Sequence, residues 1–194
     1  MYNCFLNGFL YFCRMQQKIA LIGGPGAGKS SVLNELMKRE FHCMPEISRE
    51  VTLKAQEDGI DQLFLTEPLL FSQLLLEGRE RQFLNANDLK TDTVFFDRGI
   101  PDVHAYMNYL KTDYPPIYME KSKKYIYDRI FLFEPWEEIY VSDNERYESF
   151  EEAVIIDTYL KQAYLELGYE IITVPFGTIK ERADFILNSL KSDV

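Results

Sequence analysis

The sequence is poor in residues that would point to redox, metal or extracellular chemistry. Its three cysteines, Cys4, Cys13 and Cys43, form no Cys-x-x-Cys pair and no metal-ligand spacing. They read as reduced thiols in a cytoplasmic protein. The two histidines, His42 and His104, stand alone, which suits packing or surface roles better than catalysis. Positive charge is scarce: 21 Lys and Arg face 31 Asp and Glu, a formal net charge of -10. That balance disfavours a broad interface with nucleic acid, though it leaves room for a local basic pocket. Long hydrophobic runs are lacking too. Residues 1–13 are apolar and aromatic, but too short to span a bilayer, so no stable membrane insertion is expected. The segment starts without basic residues and runs almost directly into a core strand, unlike a secretory signal. Low-complexity tracts, internal repeats and interdomain linkers are missing as well. These exclusions leave one domain over residues 15–194. Residues 1–14 form an N-terminal extension: either a short extra strand or packing arm, or a reading frame extended beyond a start at Met15.

What is present alternates strand with helix. Lys18 to Gly23 is an apolar run ending in glycine, the profile of a buried parallel strand. Val32, Leu33, Leu36 and Met37 recur at helical spacing, so a helix begins near Lys29. Residues 41–46, 93–97, 129–133 and 170–174 read as further strands. Thr66 is placed to cap a long helix with Pro68 in its first turn and Leu70, Leu74 and Phe83 on its apolar side. Ile100 to Leu110 is a helix with Pro101 near its start. Ser149–Glu152 and Thr178–Glu181 are capping boxes opening two more, the first ended by Gly168. The tyrosine-rich stretch Tyr118–Tyr127 is a half-buried helix face. This alternation implies an α/β fold with a parallel sheet covered on both sides.

Between the first strand and its helix lies Gly23-Gly24-Pro25-Gly26-Ala27-Gly28-Lys29-Ser30, a complete P-loop, with Ser31 behind it. Such a loop wraps backbone N–H groups around phosphate at the positive end of a helix. Lys29 is placed to reach the β- and γ-phosphates, and the Ser30 hydroxyl to ligate Mg²⁺. Asp97 ends an apolar strand, where it would hold Mg²⁺ through water; its other reading is a turn residue before Gly99. Arg98 is a phosphate or substrate clamp, or else a surface ion pair. Asp102 is a weaker substrate contact, since an acid in a first helical turn is favourable in any case. Glu46 and Arg49 close the second strand as a base or acceptor contact and an anion clamp, with a solvated loop carboxylate as the alternative for Glu46. Arg146, in the polar segment 134–148, is either a cation brought in by a closing lid or an arginine neutralised by acidic neighbours.

Together these motifs resemble the nucleoside- and nucleotide-kinase-like P-loop proteins, and more closely the NadR-like ATP/GTP-binding family labelled as an AAA domain, which has a ribosylnicotinamide-kinase relative. The likeness is carried by residues 23–30, Pro-Glu-Ile-Ser-Arg at 45–49, Asp-Arg-Gly-Ile-Pro-Asp at 97–102, Asp-Asn-Glu-Arg at 143–146, and Leu-Gly-Tyr at 167–169 leading to Val-Pro at 174–175. It runs from about residue 17 to the end. The resemblance implies a three-layer sandwich, a five-stranded parallel sheet ordered 2-3-1-4-5, and a small lid near 134–148. The lid segment lacks the arginine-rich pattern of typical nucleotide kinases.

Two functions follow. One is a Mg²⁺-dependent kinase that passes the γ-phosphoryl group of ATP or GTP to an unidentified small-molecule hydroxyl. The other is a nucleotide-binding switch with slow hydrolysis that acts through a partner. A GTPase of the usual kind carries Asn-Lys-x-Asp after a strand; here Leu-Lys-Thr-Asp stands at 89–92 and 110–113 and follows no strand. The chain also lacks room for the helical lid domain of an AAA+ motor.

Overall fold

The computed structural model describes residues 3–6, 9–12, 16–60, 62–140 and 148–191. Two short strands, β1 (Asn3–Leu6) and β2 (Phe9–Phe12), pair antiparallel, with Asn3 opposite Phe12. The main sheet begins with β3 (Gln17–Ile22), in which Ile19 to Ile22 are all buried. Alternation sends Ile19 and Leu21 to one face and Ala20 and Ile22 to the other. Ile19 and Leu21 pack with Val32, Leu33 and Leu36 of α1 (Lys29–Lys38), and Ala20 and Ile22 with a second cluster. A strand apolar on both faces must be covered on both faces, which makes three layers.

Next come β4 (His42–Met44), α2 (Ile47–Glu57), a short α3 (Leu63–Thr66), α4 (Pro68–Asn85) and β5 (Thr93–Asp97). They are followed by α5 (Pro101–Tyr109), α6 (Ile117–Lys124), β6 (Arg129–Leu132), α7 (Phe150–Glu166), β7 (Ile171–Thr173) and α8 (Ile179–Lys191). The sheet is parallel throughout, in the order β4-β5-β3-β6-β7. Counted within this sheet, that is the expected 2-3-1-4-5. Because β5 and β6 flank β3, the chain departs from β3 to opposite sides, and the crevice at its C-terminal end is where such sheets take ligands.

Both capping boxes form. Ser149 Oγ accepts from the Glu152 amide while Glu152 accepts from Ser149, and Thr178 and Glu181 do the same at α8. Three local expectations need correction. Thr66 does not cap the long helix: it closes α3 with its hydroxyl on the Gln62 carbonyl at 3.1 Å, and Glu67 stands at the N-cap of α4. Leu70 and Leu74 are 38% and 36% exposed, because α4 turns Leu75, Leu76, Gly78 and Arg79 inward instead. The tyrosine-rich helix face is shorter than expected: α6 ends at Lys124 with Tyr118 and Ser122 buried on its inner side, and Tyr125 and Tyr127 lie beyond it, buried in the cores beneath α4 and the sheet. The helix over 47–57 was not expected; Glu46 starts it by accepting from the Ser48 amide at 3.5 Å. No described helix is long and apolar enough to cross a membrane.

Candidate functional site

The loop after β3 has the conformation its glycines permit. Gly26 and Gly28 have φ of +73° and +84°, which side chains disfavour, and Gly28 is the N-cap of α1 without any side-chain cap. The first amides of α1 are therefore left for a ligand. Lys29 is buried, with Nζ donating to the Gly24 carbonyl at 2.7 Å. Burial and the nearby Arg98 pull its ammonium down to about 8, against the opposing pull of Asp97, Glu46 and Asp102.

Parallel register sets Asp97 opposite Leu21, one turn below the loop. Ser30 Oγ donates to Asp97 Oδ2 at 2.9 Å, while Asp97 Oδ1 is buried with no hydrogen-bond partner. Burial, then Glu46, raises the Asp97 pKa against Lys29, Arg98 and the Ser30 bond. A hydroxyl and a carboxylate with one vacant buried oxygen suit a hard cation that takes its other oxygens from phosphate and water.

Beside Asp97 lies a buried ionic cluster. Arg98, at φ +75°, donates from Nε to Glu46 Oε2 at 2.5 Å and from Nη1 to the Gly23 carbonyl at 3.0 Å. Arg79 reaches Glu46 Oε1 at 3.2 Å and the Gly99 carbonyl at 2.9 Å. Burial alone would raise the Glu46 pKa, but Arg98, Arg79 and Lys29 hold it below the usual carboxylate value. Burial also works against the charge on Arg98; Tyr106, Glu46, Asp102 and Asp97 keep it firmly cationic.

The structure thus brings Lys29, Ser30, Glu46, Asp97 and Arg98 to one crevice. Asp102 is 0% exposed, and its oxygens accept from Tyr164 at 2.6 Å, the Gly99 amide at 3.0 Å and Arg98 at 3.4 Å. In this arrangement Asp102 braces Arg98 from behind. Arg49 lies on the exposed side of α2. Arg146, with the rest of 141–147, lies outside the described residues. His104 is buried against Ser122, and His42 is exposed on β4.

Sequence reasoning missed several neighbours of the loop. Arg79 sits mid-helix among charged residues and carries no local sign of burial. Gly78 beside it is the one clue, since a Cβ there would stand 2.6 Å from Ile47. Tyr140 lies over the loop: a Cβ on Gly26 would meet its ring at 2.5 Å. Arg182, from the first turn of α8, approaches Gly28. Trp136 and Phe176 stack at 4.9 Å, joining the segment after β6 to the one after β7.

Comparison with known proteins agrees with this fold. Solved structures of like fold include deoxyadenosine kinase from M. mycoides with dCMP and dCDP, at TM-score 0.67 and 18% identity over 91% of this chain and 100% of that one. Thymidylate kinase from Candida albicans gives TM-score 0.63 and 17% identity over 92% of each chain. NadR in complex with NR gives TM-score 0.69 and 14% identity over 93% of this chain and 52% of that one. No curated protein matches significantly. Residues 18–182, most of the chain, match the family described as the AAA domain, and the chain belongs to that P-loop family.

Proposed function

We propose that the chain is a Mg²⁺-dependent kinase that transfers the γ-phosphoryl group of ATP or GTP to a hydroxyl of a small molecule. The observation that carries this reading is the placement of two charge systems in one crevice. Ser30 and Asp97 stand 2.9 Å apart under the loop, and the Arg98–Glu46 pair lies beside them at 2.5 Å. A simple nucleotide switch needs the first system; an acceptor needs the second. The fold also supports it, since its structural neighbours are described as deoxyadenosine, thymidylate and shikimate kinases.

In this reading residues 23–31 hold the triphosphate, and Lys29 leaves the Gly24 carbonyl for the β- and γ-phosphates. Mg²⁺, held by Ser30 and through water by Asp97, supplies charge neutralisation when bound. Arg98 clamps the transferring group or the acceptor. Phosphoryl transfer through a loose transition state asks more for alignment than for a strong base. Glu46, with its basicity drained by two arginines, therefore orients the acceptor hydroxyl by accepting its hydrogen bond. Residues 134–148 act as the lid, with Arg146 as a candidate cation within it. The low charge of the chain, -10, speaks for a small acceptor over nucleic acid.

Lys29→Ala should abolish most thermal stabilisation by Mg-ATP and Mg-GTP; unchanged stabilisation would remove the loop from triphosphate binding. Glu46→Gln should slow turnover by less than about 10²-fold, below the usual range for loss of a general base. A loss of roughly 10³-fold or more would reinstate proton abstraction. Nucleosides, sugars and vitamin precursors incubated with labelled γ-phosphate test the reaction itself. Hydrolysis without any labelled acceptor would favour a nucleotide switch, which the weakened basicity of Glu46 also allows.

A further inference from the structure

Arg182 is 2% exposed, yet its Nε and Nη2 make no hydrogen bond. It lies in the first turn of α8, fixed there by the capping box and by its own amide on the Thr178 carbonyl at 3.0 Å. Its guanidinium stands 4.4 Å from the centroid of the Phe133 ring and 5.7 Å from that of Trp136. Ring faces attract a cation, but they do not replace a counter-ion for a charge taken out of water. Burial pulls its pKa down, and among the described residues no acidic neighbour offsets that pull.

The direction in which the side chain runs is informative. A Cβ on Gly28 would stand 2.7 Å from Arg182 Nη1, so the guanidinium abuts the last glycine of the phosphate loop. Gly28 caps α1 with no side-chain partner, which leaves the positive end of that helix beside a positive side chain. Two such groups packed together repel unless an anion joins them. A phosphate oxygen satisfies both, because a guanidinium fork matches phosphate geometry and α1 offers amides to the same anion.

We propose that Arg182 is a nucleotide-positioning residue that donates its free N–H groups to an anionic phosphate oxygen of the bound nucleotide beside Gly28. This rests on the nucleotide-binding reading above. It adds to Lys29 and Arg98 a further cation, contributed by an element distant in sequence from the loop. Trp136, stacked on Phe176, faces Arg182. As the only tryptophan in the chain, Trp136 reports the event directly.

The test is titration of wild type, Arg182→Met and Arg182→Lys with Mg-ATP, Mg-GTP and magnesium tripolyphosphate, followed by Trp136 fluorescence, with melting of each free protein alongside. Arg182→Met should bind Mg-ATP and tripolyphosphate roughly 10–100-fold more weakly, in equal proportion. Arg182→Lys, which keeps the charge without the fork, should fall between. The free Arg182→Met protein should melt at or above the wild-type temperature, because it no longer buries an unpaired charge; a merely structural arginine would lower it. Binding by Arg182→Met within twofold of wild type overturns the proposal. So does a loss for ATP alone, which would place the contact on the base. Wild-type protein that binds none of the three ligands overturns the nucleotide reading itself and this inference with it.

Discussion

Arg98, 11% exposed, and Arg182, 2% exposed, stand at opposite ends of the phosphate loop in unlike surroundings. Arg98 bonds the Gly23 carbonyl where the loop begins, and Glu46 and Asp102 balance its charge. Arg182 sits beside Gly28 where the loop ends, among ring faces and, among the described residues, without a carboxylate in ion-pair reach. A buried ion pair whose polar atoms are satisfied is rigid without ligand. A buried charge without a partner is costly, and the cost falls when a ligand arrives. The first end of the loop is thus assembled in the free protein, and the second is poised for an anion. In a phosphotransferase that division is useful: the geometry around the acceptor stays fixed while the nucleotide side responds to occupancy.

The largest effect should come from Arg98→Met. It leaves Glu46 with Arg79 alone and takes the cation from beside the buried Asp102, so stability should fall by about 3–5 kcal/mol. At this chain length that lowers the melting temperature by about 6–20 °C. Arg182→Met should show no such fall in the free protein. Equal losses for the two variants, measured by thermal or urea unfolding, would erase the contrast between the arginines. A smaller effect compares the glycines beside them. Gly99→Ala drives a Cβ to 2.1 Å from the Tyr164 hydroxyl and so against the 2.6 Å bond to Asp102, which should cost about 1–3 kcal/mol. Gly28→Ala meets the side-chain ends of Arg182 and Ile139, and its φ of +84° adds strain of about 1–2 kcal/mol. Nucleotide affinity should drop further in Gly28→Ala than in Gly99→Ala; the reverse order would move the phosphates away from Arg182.

The two ends were not equally legible in the sequence. Glycine spacing, a strand of four buried apolar residues and an acid ending a β-rich run are local signals, and the residues they single out, 23–30, Asp97 and Arg98, lie together in the folded chain. The five parallel strands and both capping boxes were legible for the same reason. Glu46 pairs with Arg98 across 52 positions, and the shared sheet edge sufficed to bring them together. Arg79 and Arg182 gave no such signal. Each lies on a helix among charged neighbours, where arginine ordinarily snorkels to solvent. Only tertiary packing, with α4 on α2 and α8 on α1, turns them inward. Asp102 shows the same limit from the other side: a carboxylate in a first helical turn reads as available, and only the fold brings up Tyr164, 62 positions on, to bond it.

The smallest effect tests whether the frame of the Arg98 side is as fixed as this contrast requires. Glu46 reaches Arg98 because β4 carries it there, two residues after Met44, at the edge of the sheet. Cys43 lies in that strand opposite Phe95, with its thiol directed to the Leu33 and Phe41 carbonyls at 3.7 and 3.6 Å. Burial, then the charge of Asp97, pushes the thiol up to about 12. Since the thiolate is the reactive form, alkylation of Cys43 at pH 8.5 should run on the order of 10²–10³-fold slower than that of a free thiol. Peptide mass spectrometry after iodoacetamide treatment reads this rate separately from Cys4 and Cys13. Labelling of Cys43 at the rate of a free thiol would mean that β4 opens readily. Glu46 would then be a carboxylate on a loose edge, and the Arg98 end would need ligand as much as the Arg182 end does.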